Sequence, residues 1–393
     1  MPRLSTFVFA RVPLPRAAPG TLALAQLRGA PGQAAVSLAA IVASFSLMAA
    51  MAIMVSSFRV SVDDWLSAVL PADLYFRTAA SGDTAYLEPA LAETIRTLPQ
   101  AARVDFLRVN RVQLDPRRPP VAVIARDRAA RAFPPVGRAY AVRPGDPPPM
   151  WISEAVLDVY GWRPGQAVRV PLAGAEREFV VAGVFRDYAR QHGALLVERA
   201  DYVALTGDRR VNDGAIWLAS GASAVEAMQA LRSLTGTREL EISVPAAIRE
   251  QSLRVFDRSF AVTYAMEALA VVVGLFGLSS SIGAIVLARR REFGVLRHLG
   301  VTRSQIGSML ACEGGLLSLL GTLAGLLCGT AISLVLVYVV NRQSFNWGMS
   351  LHPPYALLAA LGGIVVVLGI ATAFFSGREA TSQAAIRSVK DDW

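Results

Sequence analysis

Few side chains in this sequence can do covalent chemistry, and those few are badly placed for it. The only lysine is Lys390, so no G-x-x-x-x-G-K-[ST] loop exists to cradle a nucleotide phosphate. Neither a G-x-S-x-G nucleophile elbow nor an H-E-x-x-H zinc pair occurs. His192, His298 and His352 are scattered along the chain. Cys312 and Cys328 lie sixteen residues apart in one apolar stretch. On a helix that is ~24 Å, far beyond disulfide reach. Asp63 and Asp64 are adjacent, and adjacent helical residues point apart. They read as charge at the start of a stalk. No catalytic residue, no metal site and no resident cofactor is expected.

Two carboxylates are more informative. Glu267 and Glu313 interrupt apolar runs, and an ionisable group inside a bilayer is costly enough to be a functional hypothesis by default. Glu267 falls about two turns from the outer edge of its run. It suits a substrate path, a partner helix, or simple helix pairing. Glu313 comes seven residues after Ile306, near the inner edge, where an arginine of the preceding loop can reach it.

That loop is the most distinctive stretch of the chain. Residues 289–306 read R-R-R-E-F-G-x-L-R-x-L-G-x-T-x-x-Q-I. Phe293, Leu296 and Leu299 recur every third position between arginines, which predicts a short helix with one apolar stripe. It is too basic to cross a bilayer and sits between two apolar runs. Phe293, Leu296 and Leu299 suit anchors of a helix-in-groove contact. Arg291, Glu292 and Arg297 suit a charged rim. Gly294 and Gly300 permit close approach and a turn, and Thr302 and Gln305 complete the segment.

The elements that carry these residues are membrane spans. Of 393 residues 53% are hydrophobic and 18% charged, with a mean hydropathy of +0.42. A soluble chain would carry about 25% charged residues. Residues 34–58 contain one uncharged apolar run, 258–288 a second broken only by Glu267, 307–340 a third and 354–375 a fourth. Each is long enough for a ~30 Å hydrocarbon core. The net charge of +9 and pI of about 10.1 come from arginines gathered at span ends. Arg3, Arg11, Arg16 and Arg28 precede the first span, Arg289 to Arg303 separate the second and third, and Arg378, Arg387 and Lys390 follow the fourth. The opposite short loop holds only Arg342 and His352. By the positive-inside rule both termini (1–33 and 376–393) and the 289–306 loop are cytoplasmic, and nucleic acid is not the partner this charge implies. Trp347, Phe345 and Tyr355 sit where an outer aromatic belt is expected. Gly321, Gly325 and Gly329 form a small-residue face, suited to close helix packing within the subunit or to a dimer interface.

Residues 59–257 make one loop of the far side. It reads as an α/β domain, with strands at 74–77 and 121–126 and a helix at 86–97. A β unit at 151–187 turns at Ala173-Gly174-Ala175, and a helix at 224–234 and a strand at 240–244 complete the domain. Helix then continues from 248–257 into the second span. The fold class is an α-helical membrane protein with one plus three spans and a large extracytoplasmic α/β domain between the first and second.

The 289–306 run resembles the cytoplasmic coupling segment of FtsX-like permeases, the membrane subunits of ABC transporters of the macrolide-exporter and lipoprotein-release type. The resemblance extends to Leu22-Ala-Leu-Ala-Gln-Leu-Arg28, which is similar to their amphipathic lead-in helix, to Ile152-Ser-Glu-Ala with 161–170 and 179–185, and to the tail at 378–390. The proline-rich start at 1–20 departs from the pattern and resembles the linker before the second half of double-length members. The resemblance implies a permease in a bacterial cytoplasmic membrane. ATP is then bound and hydrolysed on a separate ABC ATPase subunit. The implied partners are that ATPase, a second permease subunit (a copy or a paralogue), membrane lipid and a periplasmic protein. Mechanical coupling to a lipid, lipoprotein or other amphiphile is the leading reading. A non-transporting transmitter that activates a cell-wall hydrolase or sensor is the alternative. A membrane-anchored envelope enzyme would need a catalytic constellation in 59–257, and none is legible.

Overall fold

The computed structural model describes residues 31–78, 86–129, 133–235 and 240–387. The lead-in segment at 22–28 and the last residues of the tail lie outside them. The chain divides into two units. One, helical, is built from residues up to Ser57, Ser259–Val337 and the chain from Leu351 onward; the other, sheet-based, from Phe58–Arg258 and Tyr338–Ser350.

The long helix α1 (Pro31–Val69) precedes the sheet. Then follow β1 (Leu74–Thr78), α2 (Pro89–Arg96), β2 (Ala101–Val112), β3 (Val121–Arg126), β4 (Pro135–Val136) and β5 (Pro149–Ser153). After these come α3 (Glu154–Tyr160), β6 (Ala167–Leu172), β7 (Ala175–Phe185), β8 (Ala194–Glu198), α4 (Arg199–Thr206), β9 (Asp213–Leu218), α5 (Ala224–Thr235) and β10 (Leu240–Ser243). The strands form one sheet in the order β10-β1-β9-β2-β3-β8-β5-β7-β4, with β6 paired to β7. Pairs β3–β8 and β5–β7 are parallel and the others antiparallel.

Two apolar cores lie along this sheet. One gathers Leu74, Phe76, Ile95, Phe106, Ile216 and Leu231 under α2 and α5. The other gathers Val123, Ile152, Val156, Phe179, Val181 and Leu195 under α3 and α4. Residues 179–185 of β7 are all buried, the pattern of a strand covered on both faces. The β6–β7 turn places Ala173 at φ 50° and Gly174 at φ 80°, the two left-handed residues of a tight hairpin. Gly214 is needed because the Phe76 ring lies over it, 2.1 Å from where a Cβ would stand.

Helices α6 (Pro245–Ala288), α7 (Arg290–His298) and α8 (Arg303–Val335) follow. A π-helical turn at Leu336–Val340, a short α9 (Asn341–Phe345) and α10 (Tyr355–Arg387) end the described chain. Among the described residues three helices are long and apolar enough to cross a membrane, Leu38–Val69, Arg303–Phe345 and Tyr355–Arg378. The fourth expected span, 258–288, falls within α6, which is not among these three. There the side chain of Glu267 falls outside the described residues.

Glycines set the packing of the helical unit. A Cβ on Gly321 would stand 2.7 Å from Ile41, on Gly325 3.0 Å from Phe45, and on Gly329 2.7 Å from the Ser46 carbonyl oxygen. This face of α8 therefore packs on α1 of the same chain, and of the two readings open for it the structure shows the first. Gly314 likewise meets α10, at Gly369 O and the Ala373 Cβ. Backbones that approach this closely gain van der Waals contact where lipid offers no hydrophobic drive.

Candidate functional site

Of residues 289–306, expected as one short helix, only Arg290–His298 form α7; a turn follows, and residues from Arg303 already belong to α8. That turn is closed on both sides by local hydrogen bonds. At the C-terminus of α7, Val301 N donates to Leu296 O and Gly300 N to Arg297 O, both at 3.1 Å, with Gly300 at φ 89°. This is the Schellman arrangement, which requires a left-handed residue that glycine adopts without strain. At the start of α8, Gln305 N donates to Thr302 Oγ1 at 3.3 Å and Thr302 N to Gln305 Oε1 at 2.9 Å. That reciprocal pair is a capping box. Thr302 and Gln305 therefore have a local structural task. The signal, T-x-x-Q before an apolar run, is legible in the sequence.

Of the expected stripe, Phe293 and Leu296 face inward and Leu299 faces out. Phe293 is 2% exposed and lies among Ile41, Val286, Ile306, Met309, Leu310 and Ala373, with Leu296 and Val301 against the same cluster. The expectation that Phe293 and Leu296 present anchors to a partner is therefore corrected. They are taken up by the chain's own helices, because α7 must cover the end of that bundle. The exposed apolar residues of the segment are Val295 (62%) and Leu299 (77%), with Glu292 exposed one turn before Val295. Gly294 has open space where a Cβ would stand. The side chains of Arg290 and Arg291 lie outside the described residues, and Arg297 is half-buried.

Arg289 fastens this helix to α8. It stands at the N-cap position of α7, and Nη1 donates to Glu313 Oε2 at 2.9 Å while Nε donates to Glu292 Oε2 at 3.1 Å. Its guanidinium also lies 5.3 Å from the centre of the Phe293 ring. Arg289 and Glu313 are both buried. Each satisfies the other's charge, and loss of one partner would strand the other. Nothing in the local sequence distinguishes Arg289 from Arg290 and Arg291.

A second cluster, in the sheet unit, was not foreseen. Trp347 is 4% exposed. It stacks on Phe345 with ring centres 5.3 Å apart and meets Tyr188 edge-on at 5.5 Å. It is thus a core residue of the sheet unit and not part of an aromatic belt. Buried Glu154, the first residue of α3, takes two bonds from Arg186, at 2.9 and 3.2 Å. Burial opposes charge on Arg186, but Glu154 outweighs it and holds that guanidinium above its ordinary value. Asp63 pairs with Arg249 at 2.6 Å and Arg59 with Asp257 at 3.2 Å, so Asp63 joins α1 to α6 within the sheet unit. Among the described residues no group of three or more His, Cys, Asp or Glu side chains is placed to hold a metal ion.

Comparison with known proteins matches both units. Residues 34–234 match the family model of the MacB-like periplasmic core domain, and residues 264–385 that of the FtsX-like permease C-terminal region. The chain belongs to this FtsX-like permease family with a MacB-like periplasmic core. An uncharacterized ABC transporter permease protein of Mycobacterium tuberculosis is 28% identical over 371 residues, covering 90% of this chain and 43% of that protein. An uncharacterized ABC transporter permease of Methanocaldococcus jannaschii is 23% identical over 128 residues, 32% of this chain and 31% of that one. The chain thus spans less than half the length of these relatives. Among solved structures, the periplasmic region of MacB from Actinobacillus actinomycetemcomitans covers 47% of this chain and 94% of its own, at 14% identity and TM-score 0.34. The extracellular domain of the ABC-type transporter YknZ covers 44% and 98%, at 10% identity and TM-score 0.31.

Proposed function

We propose that this chain is the permease subunit of an ABC transporter that works by transmitting motion. The observation that carries the reading is α7. Its inner stripe is spent on its own helices, and its outer face leaves Glu292, Val295 and Leu299 exposed. In a soluble setting such a face would be an unexplained apolar patch. Beside a separate ATPase it is a contact of the helix-in-groove kind. ATP is bound and hydrolysed on that subunit, and Arg289 with Glu313 carries the displacement of α7 into α8. Both termini and α7 lie on the cytoplasmic side of a bacterial inner membrane, as the arginine distribution supports. The sheet-based unit lies outside and handles a lipid, lipoprotein or other amphiphile, together with a second permease subunit and a periplasmic protein. Packing of the Gly321, Gly325 and Gly329 face within the chain leaves other helix faces for the second permease.

The test is co-purification of the ATPase and its stimulated turnover. Val295→Asp combined with Leu299→Asp is expected to weaken association about tenfold or more, as loss of apolar anchors does, while the chain still inserts and folds. Unchanged co-purification and unchanged turnover would sink the reading.

A further inference from the structure

The chain between α9 and α10 has no regular secondary structure from residue 346 to 354. Buried backbone groups outside helices and strands must find partners elsewhere. Here residues of the sheet unit far away in sequence supply them. Gly348 N donates to Glu154 Oε2 at 3.2 Å, and the Tyr188 hydroxyl donates to Gly348 O at 3.0 Å. Ser350 N donates to Ser61 Oγ at 3.2 Å. Arg342 of α9 makes a two-pronged ion pair with Asp158 of α3, at 3.0 and 2.9 Å. Inside the segment, Asn341 Nδ2 donates to Trp347 O at 2.9 Å, and Asn346 turns the chain at φ 57°. Trp347 then enters the ring cluster of Phe58, Tyr188 and Phe345. The fit is close: a Cβ on Gly348 would stand 3.1 Å from Arg186 Nη2 and 3.2 Å from Glu154 Oε1.

Glu154 is prepared for this task. Ser153 caps α3 by accepting from Val156 N, and its hydroxyl oxygen also accepts from Ala194 N at 2.9 Å. The carboxylate that follows is held by Arg186, whose own carbonyl accepts from Trp65 Nε1 at 2.9 Å. One oxygen of Glu154 therefore meets the strap backbone through a side chain that Arg186 holds in place. Immediately before α9 the helix loosens into the π-helical turn Leu336–Val340. Such turns are rare and are frequently found at functional sites.

We propose that residues 338–350 form a docked strap. It is seated on Glu154, Tyr188, Asp158 and Ser61, and it links movement of the sheet unit to the end of α8 through the π-helical turn. The link rests on the mechanical reading given above, whereas the docking does not. A domain that can pull on a third helix as well as on α1 and α6 moves three parts of the chain at once.

Hydrogen exchange of the full chain in lipid nanodiscs tests both halves. Tyr188→Phe removes one bond to the strap, and Gly348→Ala presses on the Glu154–Arg186 pair from the strap side. In each variant exchange at 346–350 is expected to rise about tenfold, the effect of losing one strong hydrogen bond. Exchange at 336–345 should rise with it, while β7 stays as in the parent. No change at 346–350 overturns the docking. A rise confined to 346–350 overturns the mechanical link. A rise spread over β7 in both variants makes the segment an ordinary part of the domain core and overturns the strap. None of these outcomes depends on the ATPase, so failure here is separate from failure of the co-purification test.

Discussion

Two short segments flank α8, and they are held in opposite ways. Before it, α7 is attached by side chains: Phe293 in an apolar cluster and Arg289 in a buried ion pair with Glu313. After it, residues 346–350 are attached by backbone, through Glu154, Tyr188 and Ser61. The first keeps Val295 and Leu299 exposed. The second turns its Trp347 inward. α7 thus spends one face on its own helices and leaves the other exposed, whereas the segment after α8 turns its largest side chain inward.

The contrast breaks most readily at Glu313. Glu313→Ala should cost about 3–5 kcal/mol, because it leaves a buried guanidinium unpaired. Arg289→Met together with Glu313→Met should restore much of that loss. Thermal unfolding of the purified chain in detergent checks both, and a double variant no better than the single one would remove the ion pair from the account. Next in size, Phe293→Ala should cost about 3 kcal/mol by cavity formation, while Leu299→Ser should stay within about 0.5 kcal/mol, as exposed positions do. Equal losses in the same unfolding assay would mean that α7 has no inner and outer face. The smallest effect is expected for Asp158→Asn. Its partner Arg342 is half exposed, so the pair is worth at most about 1 kcal/mol. A larger loss would mean that side chains, and not the backbone, hold the strap.

Much of this was readable from the sequence, and the misses share one cause. The T-R-S-Q run at 302–305 and Gly300 announce a helix start and a helix stop through bonds only a few residues long. The Ala173-Gly174 hairpin is local in the same way. The spacing of Phe293, Leu296 and Leu299 gave a helix, but periodicity reports a stripe without saying which body covers it. Leu299 lies past the last helical turn and faces out, while Phe293 faces in. Trp347 near a span end suits a membrane belt on local grounds. Its true setting depends on Tyr188 and Phe58, far off in the chain, and no pattern around residue 347 reports them. Arg289 looked like one arginine of three, and only the position of Glu313 on α8 singles it out.

The turn between α7 and α8 carries one further consequence. From Leu299 to Thr302 it is only four residues long, and the Schellman bonds on one side and the capping box on the other account for its backbone. Such a joint has no slack. On the mechanical reading proposed above, a push on the outer face of α7 meets no loop that can lengthen to absorb it and reaches α8 as rotation or tilt. On that proposal the segment is a crank whose short arm is α7 and whose long arm is a helix of 33 residues.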